Sequence, residues 1–372
     1  MRITQNTTAN NTIYNLQQAA AKISQLSDLT ASGQNVNTPS DNPIAAKLLV
    51  DIGDKLKLNS QYDSNMSKAT TWLNYTSTVV TGISDIINQA NKVAGTIDSG
   101  SSDPTLRQSV HDQLVDLKSQ IVDMANTTYG DQYIFGGANN TTPTFISKTG
   151  DLASGSNTVS IADVTGLKAG MKVSGIGIPA GVTIGTVDGA SNSITLVDST
   201  GAPVNATATT TGSALNIYAG DSTQIGVEIN QNSTISLNIT GDRLLTGNGS
   251  SPSYGSTDIL TTFDNLIAAV GDSSTASNVG GITTGITALQ SSTEQLNNAT
   301  SDILSRTTRL SNMTTLNDNN KNTLLSVVSS VQTVDYNALG VELSQQQTAY
   351  SAALASTAKV QGMSLLNYLP IG

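Results

Sequence analysis

The sequence predicts an α+β protein: an elongated helical rod of long antiparallel, coiled-coil-like helices drawn from both chain ends, with an all-β outer domain inserted between them. Three observations carry this expectation. From Tyr62 to Ile97 the seam Tyr62, Met66, Ala69, Leu73, Thr76, Val80, Ile83, Ile87, Ala90, Ala94 and Ile97 alternates steps of four and three, which is the heptad pattern of a long helix. A matching seam returns far downstream in Ile282, Ile286, Leu289, Thr293, Leu296, Thr300, Ile303, Thr307, Leu310 and Thr314. Between the two the period changes to two, the signature of strands.

Each element follows from local chemistry. A further helix starts at Asp103-Pro104, a cap followed by proline in the first turn, and carries Leu106, Val110, Leu114, Leu117, Ile121 and Met124. Leu324, Val328 and Val331 prolong the downstream seam. Two heptad helices far apart in sequence are natural partners in an antiparallel bundle. In the middle, Val159 and Ile161, Val182 and Ile184, and Ile194 and Leu196 alternate with small or polar residues. Ile225, Val227 and Ile229 face Ile235, Leu237 and Ile239 across a turn at Asn230–Ser233. Residues 173–242 contain no Lys or Arg. The outermost segments carry only thin stripes: Ile13, Leu16, Ala20, Ile23 and Leu26 at one end, and Leu339, Leu343, Tyr350, Leu354 and Val360 at the other, closing with Leu365, Leu366 and Leu369. Such helices are marginal alone in water, and they are expected to order by pairing with each other and with neighbouring molecules. The expected division is a terminal helical domain (1–42 and 335–372), a helical rod (43–137 and 258–334) and a β-rich outer domain (138–257) with an extra β module at about 148–216. The flanks of that module read as segments that lie side by side.

Composition narrows the function. The chain has 372 residues, no Cys and a net charge of −10, so disulfides and thiolate metal sites are excluded and no basic surface is available for nucleic acid or anionic membrane. Charged residues make up 12%, against roughly a quarter in ordinary soluble domains. Ser, Thr, Asn and Gln carry the polarity instead. Those side chains lose less on desolvation than charges do, which suits a surface that packs against copies or partners. No run approaches the roughly 20 apolar residues of a membrane span, and the start MRITQNTTANNTIYNL does not read as a cleaved secretory signal.

Catalytic patterns are missing. The one His, His111, stands beside Asp112 on a helix and reads as a surface residue. No G-x-S-x-G or P-loop pattern occurs. The acidic residues Asp188, Asp198, Asp221, Glu228 and Asp242 are spaced unlike a calcium loop and read as a solvated face. Trp72 and Tyr75 read as packing within the heptad helix. Neither enzyme chemistry nor a cofactor or metal is expected.

The stretch TASGQNVNTPSDNPIAA (Thr30–Ala46) is a rigid break between helices: Gly33 suits the positive φ that stops one helix, and Asn42 caps the next with Pro43 in its first turn. It resembles the Asn-x-Pro-Ser-Asp-Asp-Pro turn of the hook–filament junction (FlgL) branch of the flagellin superfamily. ANTTYGDQYIFGGANNTTPTF (Ala125–Phe145) and LSQQQTAYSAALASTAKVQGMSLLNYL (Leu343–Leu369) resemble that family's following stretch and its C-terminal helix. Asn42 stands where the family has a second Asp, which leaves capping unchanged, and the 148–216 module is an addition. The resemblance implies a structural, non-enzymatic protein of the bacterial flagellum, exported without a cleaved signal peptide. Its implied partners are the other junction protein FlgK, flagellin, copies of itself in a ring, and the export chaperone FlgN. It also implies that assembly contacts run through Leu16, Ile23, Gly33, Asn37, Pro39, Ser40, Asp41, Pro43, Leu343, Tyr350, Leu354, Val360, Leu365, Leu366 and Leu369, with the Gly33–Pro43 turn as a stiff spoke between an inner helical layer and the rod. Flagellin itself with an unusual outer domain, or a secreted adhesin that binds glycans through the β insert, are the alternatives.

Overall fold

The computed structural model describes residues 5–97, 103–247, 253–271 and 277–366. Long helices stand at both ends and antiparallel sheet lies in the middle. The helices are α1 (Gln5–Ser32), α2 (Pro43–Gly95), α3 (Pro104–Ala125), the single turn α4 (Gly241–Leu244), α5 (Ile259–Gly271), α6 (Ser277–Gln332) and α7 (Tyr336–Leu366). The strands are β1 (Thr128–Tyr129), β2 (Gln132–Tyr133), β3 (Phe145–Leu152), β4 (Thr158–Ile161), β5 (Lys172–Gly175), β6 (Thr183–Asp188), β7 (Ser193–Val197), β8 (Thr210–Tyr218), β9 (Gly226–Asn230) and β10 (Ser233–Ser236). Packing divides the chain into two compact units, one of Met1–Gln61 with Leu316–Gly372 and one of Tyr62–Thr315.

In the second unit the heptad seams do what their period requires. Met66, Ala69, Leu73, Val80, Ile83, Ile87, Ala90 and Ala94 of α2, with Ile97 just past its end, share one hydrophobic cluster with Ile282, Leu289, Leu296, Ile303 and Leu310 of α6. The threonines that interrupt the seams conceal their hydroxyls. Thr76 donates to the Trp72 carbonyl at 2.9 Å, and Thr293, Thr300, Thr307 and Thr314 each donate to the carbonyl four residues back. A hydroxyl satisfied inside its own helix leaves a methyl for the seam. Helix α3 begins at Asp103 and Pro104 as expected, the Asp103 side chain accepting from the Thr105 amide at 2.9 Å. Trp72 and Tyr75 both pack on Tyr129, with ring centroids 5.5 and 5.6 Å away.

Strands β3 to β8 close into an antiparallel barrel in the order β3-β4-β7-β6-β5-β8. The alternating residues point inward: Val159, Ile161, Val173, Ile184, Ile194, Leu196, Leu215 and Ile217 form a second, separate hydrophobic cluster. Closure needs Gly150 at its seam. A Cβ there would stand 2.7 Å from Leu215 Cδ1 and 2.9 Å from the Ser160 carbonyl, at the point where the β3–β8 register shifts. Thr149 faces Ala214 and Gly150 faces Ser213 across β3 and β8, so the chain enters and leaves the barrel side by side. Hairpin β9–β10 pairs Val227 with Ile235 and turns its apolar face into the helical cluster. Asn65 donates to its Glu228 carbonyl, and Arg306 to the carbonyls of Ser236 and Asn238.

One expectation is overturned. Asp242 is not on a solvated face: it is fully buried, with Lys172 of β5 at 2.6 Å and the Ser222 hydroxyl at 2.6 Å. Burial pushes its carboxyl up, but those two hydrogen bonds outweigh burial and hold it below its ordinary value. The local pattern around the single turn α4 does not reveal such a carboxylate, because its cation comes from strand β5, 70 residues earlier. Asp258 caps α5 through the Thr261 amide at 2.8 Å, while its Oδ2 is buried without a hydrogen bond. Burial pushes this carboxyl up to about 6 from 3.8, against the pull of the Thr261 amide.

Two outcomes follow from these carboxylates. For Asp258 the folded chain holds its proton more tightly than the unfolded chain, so stability falls as pH rises from about 4 to about 6 and stays lowered above, by on the order of 3 kcal/mol. Asp258→Asn should therefore raise the denaturant midpoint at pH 8 and leave it unchanged at pH 4; an equal shift at both values contradicts the assignment. Replacing residues 150–214 with a short Gly/Ser linker removes Lys172 and strands Asp242. That excision should give a folded chain of clearly higher melting temperature when combined with Asp242→Asn than alone. Equal melting of the two would mean that buried Asp242 does not depend on Lys172.

Candidate functional site

The first unit buries little. Among its described residues, Leu26, Val36, Ile52 and Leu339 are the buried hydrophobic side chains. Its large apolar residues are mostly in solvent: Ile44 is 83% exposed, Val50 63%, Tyr14 61%, and Ile13, Leu48, Leu58, Leu316, Leu325, Tyr336, Val341 and Leu354 are also exposed. Among the described residues of the second unit the exposed large apolar side chains are Val115, Tyr129 and Leu304. Each of these groups gains about 1–2 kcal/mol when covered. The exposed apolar side chains are thus concentrated on this unit.

Helices α1 and α7 pack together, with an exposed ion pair between Lys22 and Glu342 at 3.4 Å that contributes little by itself. Helices α2 and α6 are tied in this unit by the Asn317 amide, which donates to the Asn59 carbonyl at 2.8 Å. The sequence-predicted contact residues fall into groups. Leu16, Ile23, Leu343 and Tyr350 are half-buried on α1 and α7, and Leu354 is exposed. Asn37, Pro39, Ser40, Asp41 and Pro43 form a fully exposed turn, with Gly33 half-buried at its start. Val360, Leu365 and Leu366 lie in the span of α7, past its described side chains, and Leu369 lies outside the described residues.

The turn is built as its residues require. Gly33 takes φ +67° and its amide closes α1 on the Leu29 carbonyl at 2.9 Å. Asp41 accepts from the Asn37 and Thr38 amides at 3.0 and 2.7 Å. The Thr38 amide, seconded by that of Asn37, holds its carboxyl below the usual value. Asn42 then caps α2 through the Ala45 amide at 3.1 Å, with Pro43 in the first turn.

Sequence reasoning missed the partner of this turn. The break between α6 and α7 runs antiparallel to it: Gln34 bridges Thr333, the Asn35 amide donates to the Gln332 carbonyl at 2.6 Å, and the Val334 amide to the Gly33 carbonyl at 3.4 Å. Asp335 caps α7 through the Asn337 amide at 2.9 Å, which places the Tyr336 hydroxyl directly over Gly33. The signal was Val334-Asp335 before a helical pattern, a second cap that mirrors Asn42. The two breaks thus form one joint. Its chemistry is that of a scaffold: backbone pairing, caps and apolar rim, and no group of three or more His, Cys, Asp or Glu able to hold a metal occurs among the described residues.

Comparison with known proteins agrees with this geometry. Residues 3–140 match the family described as the bacterial flagellin N-terminal helical region. The chain is 28% identical over 130 residues to flagellar hook-associated protein 3 of Escherichia coli (strain K12), covering 35% of this chain and 41% of that protein. It is likewise 28% identical over 136 residues to flagellar hook-associated protein 3 of Salmonella typhimurium, covering 36% and 43%. The chain thus aligns with less than half the length of these curated relatives. A solved structure of a putative flagellar hook-associated protein from Vibrio parahaemolyticus shares the fold, with a TM-score of 0.54 and 16% identity over 79% of this chain and 100% of that one. The turn Thr30–Ala46, read as flagellin-like, lies inside the matched residues 3–140, as does most of Ala125–Phe145.

Gly33→Ala tests the joint. It forces an L side chain into positive φ and sets a Cβ 2.5 Å from the Tyr336 hydroxyl, a combined cost of about 1–3 kcal/mol. Hydrogen exchange of the Asn35 and Val334 amides should speed up, and Tyr336→Phe in the same chain should restore part of the protection. Unchanged exchange in Gly33→Ala contradicts the joint.

Proposed function

With a chain similar to flagellar hook-associated protein 3 as the premise, we propose that this protein is a structural, non-enzymatic component of the bacterial flagellum, the adaptor between hook-side junction and filament. The observation that carries the reading is the first unit: paired terminal helices with an exposed apolar rim and hardly any core of their own. Neighbouring subunits complete that unit, and the polar turn Asn37–Pro43 and the Gln34–Thr333 bridge hold its geometry while load passes through it. FlgK on one side, flagellin on the other and a ring of identical copies are the partners that fit such a surface. Export without signal cleavage and escort of the C-terminal helix by FlgN belong to the same proposal. No helix among the described residues is long and apolar enough to cross a membrane.

A deletion strain examined by electron microscopy tests this. Hooks should be present, filaments lost and flagellin shed into the medium, with the intact gene restoring filaments. Ile44→Ser with Val50→Ser, both at exposed positions, should leave the melting temperature of the purified chain unchanged and reduce filament number. Filaments persisting in the deletion strain, or purified protein polymerising into long filaments by itself, would overturn the adaptor reading.

A further inference from the structure

Three buried polar side chains from three elements meet at one point of the second unit. Lys118 of α3 donates through Nζ to Asp264 Oδ1 at 2.6 Å, and Asn216 of β8 donates through Nδ2 to Asp264 Oδ2 at 2.7 Å. All three residues are at least nine-tenths buried. On α3 Lys118 follows Leu114 and Leu117 and precedes Ile121, and on α5 Asp264 stands between Phe263 and Leu266, all five members of the helical cluster. One carboxylate therefore holds an amine and a carboxamide side by side in an apolar setting. The carboxamide oxygen, Asn216 Oδ1, is buried and has no hydrogen-bond partner.

We propose that Lys118 and Asn216 become joined in the folded protein by an intramolecular isopeptide bond, with Asp264 as the proton carrier. The chemistry balances within the three side chains. A buried ion pair is costly, and moving the proton from the Lys118 ammonium to Asp264 along their hydrogen bond yields a neutral pair better suited to the apolar surroundings. Burial holds the Asp264 carboxyl above its ordinary range, against the pull of Lys118, which favours that transfer. Nζ then carries a free lone pair. Rotation of the Asn216 amide brings its unpartnered oxygen to the carboxyl proton, which draws charge from Cγ. Nζ attacks Cγ and a new N–C bond forms. The Cγ–Nδ2 bond breaks, and Nδ2, protonated through Asp264, leaves as ammonia. No water, oxidant or external group is consumed, and Asp264 is regenerated. Holding amine and amide on one carboxylate supplies the effective concentration that an uncatalysed amide exchange lacks. The product is a covalent strut between helix α3 and barrel strand β8. It forms only where folding has brought the two residues together, so a chain that has not yet folded carries no cross-link, and one formed after folding survives denaturation.

The test is the mass of the purified, folded full-length chain, followed by peptide mapping. The expected wild-type mass is lower than that of the sequence by one ammonia. Trypsin should fail to cut after Lys118, and a branched peptide should carry the Lys118–Asn216 link. Lys118→Arg, Asn216→Ala and Asp264→Asn should each show the full mass of their own sequences. A wild-type mass equal to that of the sequence, with linear peptides through both residues, overturns the proposal whatever the variants do. A mass deficit that survives in Asp264→Asn overturns the role given to Asp264. Conversion of Asn216 to aspartate without a link, an increase in mass, would show that water and not Lys118 attacks Cγ and would also overturn it.

Discussion

The constraint on which this structure depends is the uneven supply of apolar surface along the chain. Residues 62–315 hold two complete hydrophobic clusters, one among the helices and one inside the barrel. The terminal unit has thin stripes whose large side chains stand mostly in solvent. A helix gains most of its stability from burying a face. Helices α1 and α7 therefore depend on whatever covers them, while the second unit depends on nothing outside itself. Polar chemistry fills the difference: in the terminal unit the geometry is set by caps, a bridge and hydrogen bonds to main-chain groups.

Two modes of cohesion follow. In the second unit most buried polar groups find a partner, and the seam threonines, the Lys172–Asp242 pair and the Lys118–Asp264–Asn216 cluster are three ways of doing so, while Asn216 Oδ1 and Asp258 Oδ2 stay unbonded. In the terminal unit the polar groups are exposed, and their value lies in direction. Gly33, Asp41, Asn42 and Asp335 fix where each helix starts or stops. The outward path of the chain is bonded to its return path at Gln34–Thr333.

Much of the fold was legible because periodicity is local. The steps of four and three from Tyr62 and from Ile282 appear as buried seams, and the alternating pairs around Val159, Ile184 and Ile194 line the barrel. What escaped is what depends on distant partners. Closure of six strands rests on β3 meeting β8, and no single strand encodes that meeting. Asp242 resembles any exposed Asp in a strand-rich segment until Lys172 arrives beside it. Lys118 did leave a trace: it stands four residues after Leu114 and three before Ile121, a cation on the apolar face of its helix. The turn at Gly33–Pro43 was readable as a stiff break with a capped helix after it. Its zipper to Gln332–Val334 and the seat of Tyr336 over Gly33 were not, since both come from the far end of the chain.

The central claim is that the terminal unit is completed by neighbours whereas residues 62–315 are complete alone. Hydrogen–deuterium exchange of the purified monomer, followed along the chain and repeated after the assembly proposed above, tests it most directly. The account predicts fast exchange in the helices of 5–61 and 316–366 away from the Gly33–Val334 joint in the monomer, slow exchange in the seams and barrel, and strong protection of the terminal helices once assembled. Equal, strong protection of both units in the free monomer would contradict it.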